Sequence, residues 1–142
     1  MTDLRQRAVK LLARREHTRA ELQRKLAPHG TQEEIDIVLN ELAGSGLQSD
    51  ARFAESYLRS QAGRLGAARL RQTLRQKGVA PDLIADQVED LPDEFERARA
   101  VWQKKFSAAP ADRSDWARQA RFLQSRGFSV EIIRKLLKEV EE

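Results

Sequence analysis

The chain has 142 residues, no cysteine, 34% charged residues and a formal net charge of +4. Without cysteine, disulfides and thiolate metal sites are excluded. No apolar run approaches the roughly 20 residues that span a bilayer, and 40% hydrophobic residues are too many for a disordered chain. Residues 1–15 scatter charges where a signal peptide needs an apolar core, so a cytoplasmic protein without membrane association is expected.

Strand signals are nearly absent, with no alternating segment of useful length and no Asn-Gly hairpin. Helices are predicted throughout. The first covers 3–15. Thr18-x-x-Glu21 is a capping box that opens a helix over 19–27, carrying Leu22 and Leu26. Gly30 then stands where a left-handed residue would end it. Thr31-x-x-Glu34 opens 32–43, whose apolar positions are Ile35, Val38, Leu39 and Leu42. After Gly44-Ser45-Gly46 the pattern returns. Helices are predicted over 51–62, over 67–76 with Leu70 and Leu74, and, past the stop at Gly78, over 81–90. After Leu91-Pro92-Asp93 it returns again over 93–106, 115–125 and 130–141, with Gly127 as the stop. The gap from Phe106 to Ser114 is expected to be an exposed, mobile loop.

Leu26, Leu74 and Leu123 each precede a glycine by four residues and lie 48 and 49 residues apart. A period of that size indicates tandem supersecondary units. The expected fold is all-α, with three-helix repeats at 1–46, 47–91 and 92–142. The three leucines are expected to be core.

Charge follows the same period. Residues 1–30 hold eight Lys/Arg against three Asp/Glu, residues 31–50 none against five, residues 51–80 seven against one, and residues 81–97 one against seven. Residues 98–142 hold ten against six. The small net charge therefore hides an alternating distribution. Aligned basic helices would form a polyanion-binding stripe; equally, acidic third helices could pair with basic second helices inside the molecule. The densest cluster is Arg59, Arg64, Arg69, Arg71, Arg75 and Lys77. Alignment of the repeats puts Arg24, Gln72 and Arg121 in one column, and His29, Lys77 and Arg126 in another.

Catalytic chemistry is missing. There is no phosphate-cradling glycine loop and no nucleophile with a partner base. His17 and His29 lack metal-ligand spacing and read as surface residues. The acidic run from Asp86 to Glu96 reads as a solvated helix face. Phe53/Tyr57 and Trp102/Phe106, each four apart, read as packed helix faces rather than base-stacking platforms.

Asp50-Ala51-Arg52-Phe53-Ala54, then Tyr57, Gly66 and Leu74-x-x-Lys77-Gly78-Val79, resembles the central signature of the RecX family of bacterial regulators of the RecA recombinase. Leu22-x-x-Lys25-Leu26 and Phe122-Leu123-x-x-Arg126-Gly127-Phe128 resemble its flanking repeats. Two positions depart from the family pattern: Ser49 stands where an acidic residue is frequent, and Ala67 where proline often follows the glycine. The resemblance implies an elongated, curved molecule of three tandem three-helix repeats. It implies a monomeric, non-enzymatic protein without cofactor that binds RecA, its nucleoprotein filament and single- and double-stranded DNA. Family members typically restrain ATP hydrolysis and strand exchange in recombinational repair and the SOS response. The residues expected to meet DNA or the filament are Arg59, Arg64, Arg69, Arg71, Arg75, Lys77, Arg118, Arg121 and Arg126. The alternatives are a general helical DNA-binding protein and an adaptor for some other protein.

Overall fold

The computed structural model describes residues 2–142; Met1, which opens the first predicted repeat, lies outside the described residues. Those residues form α1 (Thr2–Arg14), α2 (Arg19–Leu26), a 3₁₀ turn (Ala27–His29), α3 (Gln32–Gly44), α4 (Asp50–Gln61), α5 (Ala67–Gln76), α6 (Pro81–Glu89), α7 (Glu94–Lys105), α8 (Arg113–Ser125) and α9 (Val130–Glu141). No strand occurs among the described residues. Two compact units result. One comprises the residues through Tyr57 with Leu74–Ile84; the other comprises Leu58–Thr73 with Ala85–Glu142. Helices α4, α5 and α6 each contribute residues to both.

In the first unit, Leu4, Ala8, Leu22, Leu26, Ile35, Val38, Leu39 and Leu42 form one buried cluster. Their spacings of three and four place them on single faces of α1, α2 and α3. In the second unit, Trp102, Phe106, Leu123, Phe128, Leu136 and Leu137 anchor the corresponding cluster between α7, α8 and α9. Leu26, Leu74 and Leu123 are each at most 1% exposed, so the repeat alignment locates the core correctly. Phe53, Trp102 and Phe106 are buried as packing residues. The expected loop after Phe106 is tied at Ala108, whose carbonyl accepts from Gln119 Nε2 at 3.2 Å. Buried Gln119 in turn accepts from Trp102 Nε1 at 2.8 Å. Helix α8 begins two residues before the predicted start because Asp112 accepts from the Asp115 N–H at 2.8 Å and caps it.

The glycine stops divide into two kinds. Gly78 and Gly127 adopt the left-handed conformation expected of them, with φ of 90° and 93°. Gly30 does not. Its φ is −171°, extended backbone open to any residue, because a 3₁₀ turn intervenes after α2. There the constraint is space: a Cβ on Gly30 would lie 2.7 Å from Leu4 Cδ1.

Gly78 and Gly127 also carry a packing role that is the same in both units. A Cβ on Gly78 would strike Ala20 Cβ, in the first turn of α2, at 2.5 Å. A Cβ on Gly127 would lie 2.8 Å from the Arg69 backbone nitrogen, in the first turn of α5. Two hydrogen bonds accompany each approach. Thr18, the N-cap of α2, donates its hydroxyl to the Lys77 carbonyl at 2.6 Å. Gly66, at the equivalent position before α5, donates its N–H to the Arg126 carbonyl at 2.6 Å. Next, the Arg19 N–H donates to Asp50 Oδ1 at 2.9 Å, and the Ala67 N–H to Glu94 Oε2 at 2.8 Å. The end of one second helix thus satisfies the start of another, and the carboxylate that opens α4 or α7 takes the next orphan donor. Ser49, the departure from the family pattern, caps α4 by accepting from the Arg52 N–H at 3.1 Å.

His17 is buried, contrary to the surface reading of the sequence, and is 2% exposed. Its Nδ1–H donates to the Arg15 carbonyl at 3.0 Å, and its Nε2 accepts from Lys25 Nζ at 3.1 Å. Burial pushes its pKa below the ordinary 6.5, and the charges of Arg15 and Lys25 act in the same direction. Glu21 completes the Thr18 capping box and pairs with Arg15 and Lys77 at 3.2 and 3.5 Å. Burial raises its pKa, but hydrogen bonds from Arg15 and the Thr18 N–H outweigh that and leave the carboxyl below its ordinary 4.5.

Gly66→Ala places a methyl against the Gly127 carbonyl group and 2.6 Å from the Phe128 nitrogen, all rigid backbone. It is expected to cost about 1–3 kcal/mol of overpacking. Gly44→Ala, with nothing within 4 Å of the new carbon, is the control and should be neutral or stabilising by up to ~1 kcal/mol. Equal melting temperatures for the two variants would dismiss the glycine crossing as a constraint. Both titrating groups should make acid destabilising. Each folded pKa lies below its unfolded value, so each contribution is present above that value and lost as the pH falls. Melting temperature should therefore decline as pH drops from about 6.5, a step absent in His17→Gln. It should decline further below about 4.5, a step weakened in Glu21→Gln.

Candidate functional site

The sequence-predicted cations are divided between the two units. In the first unit, Lys77 is half-buried and its ammonium faces Glu21, so its charge is spent on the fold. Arg75 is exposed in the same unit. In the second unit, Arg59 and Arg121 are exposed on α4 and α8. Arg118 pairs with Asp115 at 2.6 Å, its guanidinium 5.1 Å from the Phe106 ring centre. Arg69 donates Nη1 to the Ser125 carbonyl at 2.6 Å. Arg71 lines a cleft that also holds Glu89, Asp93 and Glu94, so it sits in mixed rather than basic surroundings.

The structure brings Arg64 and Arg126 together, with two cations the sequence reading missed. Gly63 and Arg64, from the segment between α4 and α5, border a cleft of about 400 Å³ with Lys104 and Lys105 of α7 and Phe122 and Arg126 of α8. No carboxylate lines it. Lys105 Nζ and Arg126 Cζ lie 5.4 and 5.1 Å from the Phe122 ring centre, within cation–π range. Phe106 meets the same ring edge-on at 5.5 Å between centres. Lys104 and Lys105 were legible only as two adjacent cations in the last turn of a predicted helix.

Lys104, Lys105 and Arg126, at the carboxyl ends of α7 and α8, would ordinarily share that space with exposed carbonyls, which repel anions. At α8 those carbonyls are taken. Ser125 O accepts from Arg69, Arg126 O from Gly66, Gln124 O from Gly127 at 2.9 Å and Leu123 O from Phe128 at 3.2 Å. The glycine crossing therefore both closes the helix end and leaves the cleft its positive character. Phosphate oxygens suit such a cleft: they accept charge-assisted hydrogen bonds and need no aromatic readout.

Arg97 holds the Arg64 segment in place. It is 8% exposed. Its guanidinium donates to the carbonyls of Ala62 and Leu65 at 3.1 and 2.8 Å and of Pro92 at 3.1 Å, with Glu94 3.9 Å away. Burial lowers its pKa, while Glu94 and Asp93 pull it back. Among the described residues no His, Asp or Glu group is arranged to hold a metal ion, and no helix is long and apolar enough to cross a membrane.

Comparison with known proteins shows what this arrangement accompanies. Residues 5–42, 49–86 and 92–137 match the first, second and third three-helix domains of RecX. The regulatory protein RecX of Leptothrix cholodnii is 48% identical over 137 residues, covering 95% of this chain and 87% of the relative. That of Chromobacterium violaceum is 45% identical over 135 residues, with coverage of 94% and 88%. The crystal structure of RecX from Lactobacillus salivarius superposes with a TM-score of 0.85 over 99% of this chain and 96% of that one. At 23% identity it shows the fold.

Arg97→Leu leaves three carbonyls and Glu94 without their shared donor. It should destabilise the protein by on the order of 3 kcal/mol. Arg64→Leu, at an exposed position, should stay within about 0.5 kcal/mol of the parent. A melt of Arg97→Leu indistinguishable from that of Arg64→Leu would remove Arg97 as the support of the cleft.

Proposed function

Because the chain belongs to the RecX family, we propose that it is a non-enzymatic modulator of RecA that binds the nucleoprotein filament and DNA and restrains ATP hydrolysis and strand exchange. The observation that carries this reading is the carboxylate-free cleft of Arg64, Lys104, Lys105 and Arg126. In it, backbone phosphates replace the counterions that four unopposed cations must otherwise gather. Arg59 and Arg121 are further exposed cations of the same unit and Arg75 of the other, whereas Lys77, Arg69 and Arg118 serve first as structural donors. The protein acts as a monomer in the cytoplasm and needs no cofactor.

The test is RecA ATP hydrolysis on single-stranded DNA with the protein well below the concentration that coats free DNA. Inhibition there, reduced at least several-fold in Lys104→Gln/Lys105→Gln, is the expected result. Both side chains are exposed, so the variant should melt like the parent. An effect appearing only at DNA-coating concentrations would instead mean a general DNA-binding protein without a RecA-specific role.

A further inference from the structure

A second cleft of about 260 Å³ lies in the first unit, between α1 and α2. Arg7, Lys10, Arg14, Lys25 and His29 line it over an apolar floor, and no carboxylate is among the lining residues. Its register matches that of the cleft already described. Lys10 and Lys104 are 94 positions apart, as are Leu11 and Lys105; Lys25 and Phe122 are 97 apart, as are His29 and Arg126. The common offset on each helix means that the first helix and the second helix of both terminal repeats frame the same space. Charge is retained at that space while the residues supplying it differ: a lysine answers Phe122, and a leucine answers Lys105.

We propose that this cleft of the first repeat is a second site for nucleic-acid backbone phosphate. The inference rests on the reading above of the Arg64 cleft as a DNA-contact site. Three observations favour phosphate. Lys10 and Arg14 are exposed. Lys25 is also exposed, and its ammonium is oriented by a single hydrogen bond to His17, leaving donors to spare. Among the described residues Lys10, Arg14 and Lys25 form no ion pair with a carboxylate, whereas Asp3 pairs with Arg7 at 3.0 Å and also feels His29. The replacement of Phe122 by Lys25 takes the phenyl ring out of this cleft and leaves the exposed His29 imidazole as its one ring, a lining that favours phosphate contact over base readout. A ligand of repeating charge is the kind for which equivalent cationic sites in separate repeats are useful.

The experiment compares Lys10→Gln/Arg14→Gln with Lys104→Gln/Lys105→Gln for binding to a fluorescent oligothymidylate over a range of salt, after matching melting curves. Each lost phosphate contact on a single strand should lower the logarithmic salt slope by roughly 0.7, so the first variant should lose about 1.4. Lys10→Arg should retain the parental slope. An unchanged slope in Lys10→Gln/Arg14→Gln, with a reduced slope in the other variant, would overturn the second site and leave the first standing. Unchanged slopes in both would overturn the DNA reading itself and this inference with it. An intact slope accompanied by weakened binding to DNA-free RecA would assign the cleft to an acidic protein surface and would equally overturn it.

Discussion

One joint recurs in this molecule, and much else depends on it. The last turn of a second helix, closed by a left-handed glycine, packs against the first turn of another second helix. At Gly78 it meets α2; at Gly127 it meets α5. Neither glycine has room for a side chain, because the atoms opposite are backbone or Cβ. The polar terms close at the same place: an orphan carbonyl of one helix end meets a donor at the other helix start, and a carboxylate from α4 or α7 accepts the next N–H. Buried helix ends are costly unless every such group is paired. Here each end completes the other, so the joint is both a packing constraint and a polar one.

The joint also decides which charges remain for function. Arg15, Lys77 and Glu21 form a buried-centre cluster beside Thr18, and Arg52 pairs with Glu16 at 2.6 Å. Arg69 is drawn to the Ser125 carbonyl and Arg97 to three others. These cations are consumed by the fold. Of the cations left over, Arg64, Lys104, Lys105 and Arg126 line one cleft and Lys10, Arg14 and Lys25 another, while Arg59, Arg75 and Arg121 are exposed outside both. Counting basic residues along the chain cannot separate the two classes, since Lys77 and Arg64 look alike there.

The helices, their order and their core leucines were legible because they are local. Capping boxes, three-four apolar spacing and glycine stops act within about a turn. Gly30 misled for a related reason. The residue type signals a stop, but whether φ turns positive depends on the 3₁₀ turn before it and on Leu4, which lies 26 residues upstream. His17 misled because its burial is set by neighbours on other turns: its polarity suggested the surface, yet two hydrogen bonds satisfy both ring nitrogens inside. Of the cleft, Arg64 and Arg126 were found from charge density and repeat alignment. Lys104 and Lys105 were not, because their proximity to Arg64 comes from the crossing of Gly66 over Gly127, a contact between residues 61 apart.

Concentrating Arg64, Lys104, Lys105 and Arg126 around one space carries a penalty. Like charges within a partly enclosed cleft repel, and the free protein has no carboxylate there to relieve it. A sequence selected for stability alone would place an acid among them, as it does at Glu21, Glu94 and Asp115. The fold instead places many of its acids at the joints and on α3 and α6, and neither cleft has a carboxylate among its lining residues. A polyanion bound there would remove the repulsion, and binding and stability would then be linked, the bound form gaining what the free form lacks. Local rules broken without compensation inside the molecule point to compensation from outside it. That is the physical ground for reading these clefts as the working surface and the paired arginines as the scaffold.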